Sequence, residues 1–148
     1  MNLQQVRRNH ELFLAQNERM LEDASQLAGA HSVNHVKRYP TFTPRTGKLQ
    51  GAQRFRVLRR SGGRLLFLLN DAPHANPIDK GSKPHPIVAR RAPFLHFYWA
   101  KQRRWFIGKR VNHPGNKPYK FGYRAWRSAY RVEGQILRRR MTELASRF

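Results

Sequence analysis

Cysteine is absent from this 148-residue chain. Disulfides and thiolate metal sites are therefore excluded, and burial and hydrogen bonding must hold the fold. Acidic residues are scarce, eight Asp and Glu against thirty Lys and Arg, and the three that fall in residues 75–148 form no evident acid pair for general acid–base catalysis. Long apolar runs are missing too. None approaches the roughly 20 residues that cross a bilayer, and no stretch sets a Lys-rich face against a bulky apolar one, so no membrane partner is expected. The N-terminus reaches Arg7, Arg8 and Glu11 with no apolar segment behind them, and no signal peptide is expected. Gly62 and Gly63 are too few for a phosphate cradle, no Ser stands in a nucleophile elbow, and no period of 20 to 50 residues points to a solenoid.

What is present is positive charge, +22 in total. Residues 1–74 carry twelve Lys and Arg against five acids, and residues 75–148 carry eighteen against three, so the second half holds +15 of the excess. A field of that size makes an anionic polymer the first partner to consider. The length fits one domain over 1–148 with a modest core.

From Leu3 to about Ala28, apolar residues at Leu3, Val6, Phe13, Leu14, Met20, Leu21, Ala24 and Leu27 fall on one helical face, with charges mostly elsewhere. Such a helix is long for the domain, so one end is expected to project. Gly29 reads as a stop signal, and residues 30–52 as a flexible loop, with Arg45 onwards rich in glycine and poor in apolar side chains. Phe55 and Val57 alternate with Arg54 and Arg56, Ser61-Gly62-Gly63 is a turn signal, and Arg64 to Asn70 is the return strand of a hairpin. Residues 71–93 hold five of the nine prolines and are expected to be a second flexible loop, ordered by a partner. Phe94 to Ala100 is an aromatic strand, Lys101 to Arg104 a polar turn, and Trp105 to Val111 its partner.

The stretch Trp105 to Phe121, WFIGKRVNHPGNKPYKF, ends in a stiff basic elbow. Asn112, His113, Pro114 and Gly115 make a turn in which His113 is expected to lock the backbone, and Pro118 bars an earlier helix start. Beyond it Tyr123, Trp126, Tyr130, Leu137, Met141, Leu144 and Phe148 form one helical stripe, expected to face the core. Arg124, Arg127, Arg131 and Arg138 form a second stripe about 100° away. Gly134 either admits a close neighbour or weakens this helix by about 1 kcal/mol relative to Ala. The pattern predicts an α+β fold: a small antiparallel sheet of two hairpins flanked by a long N-terminal helix and a C-terminal helix.

The segment from Phe94 to Phe121 resembles the head-to-tail joining family of long-tailed phages, the neck or tail-completion proteins. The residues that carry the resemblance are Val111, His113, Pro114, Gly115, Lys117, Pro118 and Phe121, with Gly81-Ser82-Lys83 and His85-Pro86-Ile87 upstream. It implies a structural virion protein without catalysis or cofactor, made in the host cytoplasm. It also implies a ring of copies between the capsid connector, with its adaptor or stopper, and the tail terminator or tail tube. Asp79, Lys80, Gly81, Ser82, Lys83, His85 and Pro86 are then expected to contact neighbouring subunits. A bore that passes packaged double-stranded DNA needs cations but no base readout. Lys109, Arg110, Lys117, Lys120, Arg124, Arg127, Arg131 and Arg138 are the candidates to line it.

Two other functions fit the composition. A small toxin-like ribonuclease could cleave RNA without metal, drawing on His113, Arg110, Lys117 and Tyr119 to stabilise a phosphorane-like state. A plain nonspecific nucleic-acid-binding module would be a monomer with steeply salt-dependent binding. A metal site from His85, His96, His113 and Asp79 lacks the spacing such sites use and is not expected.

Overall fold

The computed structural model describes residues 2–43, 46–99 and 102–146. Arg45, Ala100, Lys101 and Phe148, which entered the expectations above, lie outside the described residues. The fold is α+β, with a long N-terminal helix, a C-terminal helix and small antiparallel sheets. Where one domain was expected, the chain divides into two compact units, residues 1–75 with 120–148, and residues 76–119.

In the first unit, helix α1 spans Leu3–Arg38, capped where the Asn2 side chain accepts from the Gln4 N–H. The expected stop at Gly29 is overturned. A Cβ at Gly29 would lie 2.2 Å from the Phe55 ring, so this glycine exists to let a strand close on the helix, and that packing outweighs its poor propensity. The helix runs on until Tyr39, the residue before Pro40, where the helical backbone is disfavoured. The expected 30–52 loop is correspondingly shorter, being helical to Arg38 and again in α2, Lys48–Gly51.

Helix α4, Phe121–Ala145, packs antiparallel on α1, as the pairs Ser25–Glu133 (2.7 Å), His31–Ser128 (2.9 Å) and Asp23–Arg140 (2.9 Å) show. The residues the two helices bury are mostly small, Ala24, Ser25, Ala28 and Ser32 on one and Ala125 and Ala129 on the other, which lets the axes approach closely. Phe42 meets Phe121 edge-on at 5.5 Å and closes one end. Strands β1 (Gln53–Arg60) and β2 (Gly63–Asn70) form the expected hairpin through a turn with Gly62 at φ 74°, and lie against α1. The Arg64 guanidinium, with its side chain 5% exposed, ties the hairpin to α1 through Glu18 (2.8 Å) and Glu22 (2.7 Å).

The second unit contains most of the expected 71–93 loop, and much of that stretch is regular. Helix α3 covers Ala75–Lys80 and strand β3 covers His85–Val88. Strands β4 (Leu95–Trp99) and β5 (Arg104–Gly108) form the aromatic hairpin. The strand expected over Trp105 to Val111 breaks at Lys109. Its second part, β6 (Arg110–His113), leaves the hairpin and pairs with β3 instead, placing Ile87 opposite Val111 and His85 opposite His113. Among the described residues the sheets are thus three separate two-stranded pieces.

Candidate nucleic-acid interface

On α4, the face turned to α1 is Phe121, Ala125, Ala129 and Leu144. The aromatic stripe expected in the core is instead outside: Tyr123 is 56% exposed, Trp126 49% and Tyr130 65%. The small alanines let α1 come so near that bulky rings have no place between the helices. The three rings lie along the helix as a ladder, Tyr123–Trp126 at 6.1 Å and Trp126–Tyr130 at 5.7 Å, with planes 29° and 20° apart. Arg124, Arg127, Arg131 and Arg138 form the neighbouring row, all exposed. An exposed aromatic row beside an arginine row offers both π faces and phosphate-directed cations.

The charge of that row is not neutralised within the described chain. Arg139 pairs with Glu143 at 3.0 Å and Arg140 with Asp23 at 2.9 Å, while Arg54 pairs with Asp71. Glu18 and Glu22 are held by Arg64, with Arg59 also on Glu18 at 3.1 Å. None of the described ion pairs takes Arg124, Arg127, Arg131 or Arg138. Five of the eight carboxylates, Glu18, Glu22, Asp23, Asp71 and Glu143, are engaged in these pairs, and the arginine row takes part in none of them.

These engagements move several titrations. The hydrogen bond from Arg64 lowers the Glu18 pKa. Hydrogen bonds from Gln26 and then Arg64 lower that of Glu22, and the same carboxylates raise Arg64. Burial, with the nearby charges of His31 and Arg124, lowers the pKa of His35.

In the second unit, the two stretches that frame the elbow interlock. Ser82 N–H donates to the Asn116 carbonyl at 3.0 Å, Asn116 N–H returns to the Ser82 carbonyl at 3.1 Å, and Ser82 Oγ donates to Asn116 Oδ1 at 2.5 Å. Asn116 Nδ2 also donates to the Pro77 carbonyl at 2.9 Å. Gly81 and Gly115 take φ of 83° and 79°, and a Cβ on Gly115 would lie 2.2 Å from the Ser82 carbonyl oxygen. His113 Nδ1 accepts the Gly115 N–H at 3.0 Å, the backbone bond foreseen for this turn, and its ring lies 5.1 Å from that of His85.

The eight candidate lining residues do not all sit on one element. Lys120, Arg124, Arg127, Arg131 and Arg138 belong to the first unit, with Lys120 taking φ 52° as the residue that enters α4. Lys109, Arg110 and Lys117 belong to the second, and all eight are exposed. Of the expected subunit-contact segment, Lys80, Lys83, His85 and Pro86 are exposed, while Asp79, Gly81 and Ser82 are half-buried. Asn112 and Pro114 are exposed, and Pro118 packs over Gly81. Asn116 was missed as an organising residue. Its position directly after Pro-Gly, with a side chain that both donates and accepts, was the available signal.

On the β4–β5 hairpin, His96, Tyr98, Trp105 and Ile107 share the exposed face, with His96 stacked on Trp105 at 4.9 Å. Among the described residues no group of three or more His, Asp or Glu could hold a metal ion, and no helix is long and apolar enough to cross a membrane. Comparison with protein-family models, curated proteins and solved structures finds no match for this chain.

Proposed function

We propose that this chain is a structural protein of a tailed-phage particle, acting at the neck where copies form a ring that joins connector to tail and passes double-stranded DNA. It has no catalytic role in this reading. The observation that carries the proposal is the interlock. The Gly81-Ser82-Lys83 and His85-Pro86-Ile87 stretch and the Val111-to-Pro118 stretch, which share the resemblance to head-to-tail joining proteins but stand some thirty residues apart, close on one another through paired backbone bonds and β3–β6. The motif residues thus serve one built feature of the backbone.

The bare arginine row of α4 supports the DNA-facing part. Nonspecific phosphate contact asks for exposed, unpaired cations and no base readout, and Arg124, Arg127, Arg131 and Arg138 are such cations. Reversing them to Glu is expected to abolish DNA retention or head-to-tail joining in particles carrying the variant. Normal joining and retention would refute the lining role.

A second reading, a nucleic-acid-binding module without a ring, is favoured by the ladder Tyr123–Trp126–Tyr130, because unstacked bases can lie on exposed rings whereas a duplex offers none. Competition between single-stranded and duplex DNA separates the two. Equal or better duplex binding, insensitive to Trp126→Ala, fits the neck. Strong single-strand preference lost in that variant fits the module. Specific cuts in cellular RNA that vanish in His113→Ala would replace both with the ribonuclease.

A further inference from the structure

The β4–β5 hairpin is aromatic on both faces, and the two faces differ in what they touch. Leu95, Phe97, Trp99 and Phe106 lie on the half-buried side, where Phe97 and Phe106 sit 5.3 Å apart and Trp99 meets Phe106 edge-on at 6.0 Å. That cluster ties the two strands together. The opposite side carries two cross-strand pairs, His96 with Ile107 and Tyr98 with Trp105, set about 7 Å apart along the strands. It is open to solvent, with Trp105 63% exposed, Ile107 68% and Tyr98 49%. The Trp105 indole stacks on His96, the rings 4.9 Å apart and 25° from parallel, while Tyr98 meets it edge-on at 5.7 Å. The indole is thus held in place with much of its surface bare, so a ring that stacks on it meets a platform already ordered.

Charge frames this platform. Arg103 and Arg104 stand where β5 begins and Lys109 and Arg110 where it ends, with Arg90 and Arg91 in the segment that leads into β4, and all six are exposed. None of the described ion pairs takes any of them, and the one acid of this unit, Asp79, lies in α3. A partner of this face must bring negative charge and cover flat rings at once. Single-stranded nucleic acid does both, offering phosphates to the cations and base planes to the rings. A duplex keeps its bases paired and stacked within. An acidic polypeptide meets the charge but not the stacked array, whose rings carry polar edges suited to planar polar partners. A bilayer asks for an apolar tip, and this hairpin turns through Gln102, Arg103 and Arg104.

We propose that the exposed face of β4–β5 binds single-stranded nucleic acid, with bases stacked on Trp105 and Tyr98 and phosphates held by the cations at the two ends of β5. The contact takes base planes and backbone charge, so it is expected to tolerate many sequences. Unlike the α4 ladder, this site lies wholly within the second unit. It goes beyond the neck reading, in which no open base meets the protein, and either can fail without the other.

The full chain is irradiated with a short mixed-sequence DNA strand carrying iodouracil, and the adducts are mapped by mass spectrometry. Adducts are expected on Trp105 or Tyr98, and are expected to vanish there when the strand is annealed to its complement. Adducts confined to Tyr123, Trp126 and Tyr130, or no adduct at all, overturn the proposal. The map needs no variant, so it stays decisive even if a substituted hairpin fails to form. Affinity for the same strand across a salt series then separates stacking from bulk charge. Tyr98→Ala with Trp105→Ala is expected to weaken binding by at least about tenfold with the salt slope unchanged. Arg103→Gln with Lys109→Gln is expected instead to flatten the log–log slope by about 0.7 for each phosphate released. Trp105→Phe keeps a stacking ring and is expected to stay within about threefold of the parent. Full affinity in the double alanine variant overturns the proposal, and ring-dependent binding to anionic vesicles or ring-dependent self-association in its place would assign the face to a lipid surface or to a second copy.

Discussion

The two units are held by different means. The first buries eleven of the twelve apolar residues that are buried in the described chain, from Met20 to Leu144, and contains seven of the eight acids. The second buries only Val111 among its described apolar residues, and sets one acid, Asp79, against ten Lys and Arg. Burial and paired charge make the first a body with a core of its own. Glycine geometry, the Ser82–Asn116 bonds and two short strand pairs hold the second. A two-stranded piece is marginal by itself in water, and a net +9 in 44 residues resists compaction. A polyanion or a neighbouring subunit that binds this unit would relieve both.

Breaking each unit at its own weak point tests the contrast. The largest effect is expected from Gly29→Val, which drives a side chain into Phe55 and should cost the first unit about 3 kcal/mol by urea unfolding. Gly115→Ala comes next. Its positive φ and the approach to Ser82 should cost about 1–3 kcal/mol, read as weakened amide protection at residues 82–88 and 110–116 with the main unfolding transition unchanged. If that transition fell equally, the two units would not be separately held.

Replacing Arg124, Arg127, Arg131 and Arg138 by Ala should leave stability near the parent's. The salt dependence of duplex binding should flatten by about 0.9 in log–log slope for each phosphate that is no longer neutralised. Gly134→Ala sharpens the comparison between helix glycines. Its Cβ would meet only the Arg138 guanidinium, at 3.9 Å, so the substitution should stabilise by about 0.5–1 kcal/mol where Gly29→Val destabilises.

The smallest effect is the pH response of the first unit. Glu18 and Glu22 titrate lower in the fold than in the open chain. Their contribution is therefore complete above the ordinary carboxylate range and lost as pH falls through the lowered values. His35 is also lowered, so it costs nothing above the ordinary histidine range and destabilises as pH falls below it. Arg64→Gln should flatten the acid limb, and His35→Gln the limb near neutrality, in unfolding midpoints followed across pH.

Local pattern was readable where one element decides the outcome. The hairpin from Gln53 to Asn70 needed only alternation and a glycine turn, and the elbow at His113 to Gly115 only its turn chemistry. Features set by distant partners were not. Gly29 read as a stop because the strand that fills its missing side chain begins two dozen residues later, and the aromatic stripe of α4 read as core because nothing local reveals that α1 meets the alanines instead. The loop over 71–93 hid β3, since its prolines conceal a strand whose partner, β6, lies beyond an intervening hairpin. The basic candidates were legible as charges, but their bareness depends on where the few carboxylates are spent.

The central claim is that the unpaired arginine row of α4 serves a DNA passage in an assembled particle. A reconstruction of the intact phage neck tests it most directly. The account predicts copies of this chain in a ring at the head–tail junction with Arg124, Arg127, Arg131 and Arg138 on the bore. A particle without this chain, or a ring whose α4 arginines point away from the bore, would contradict it.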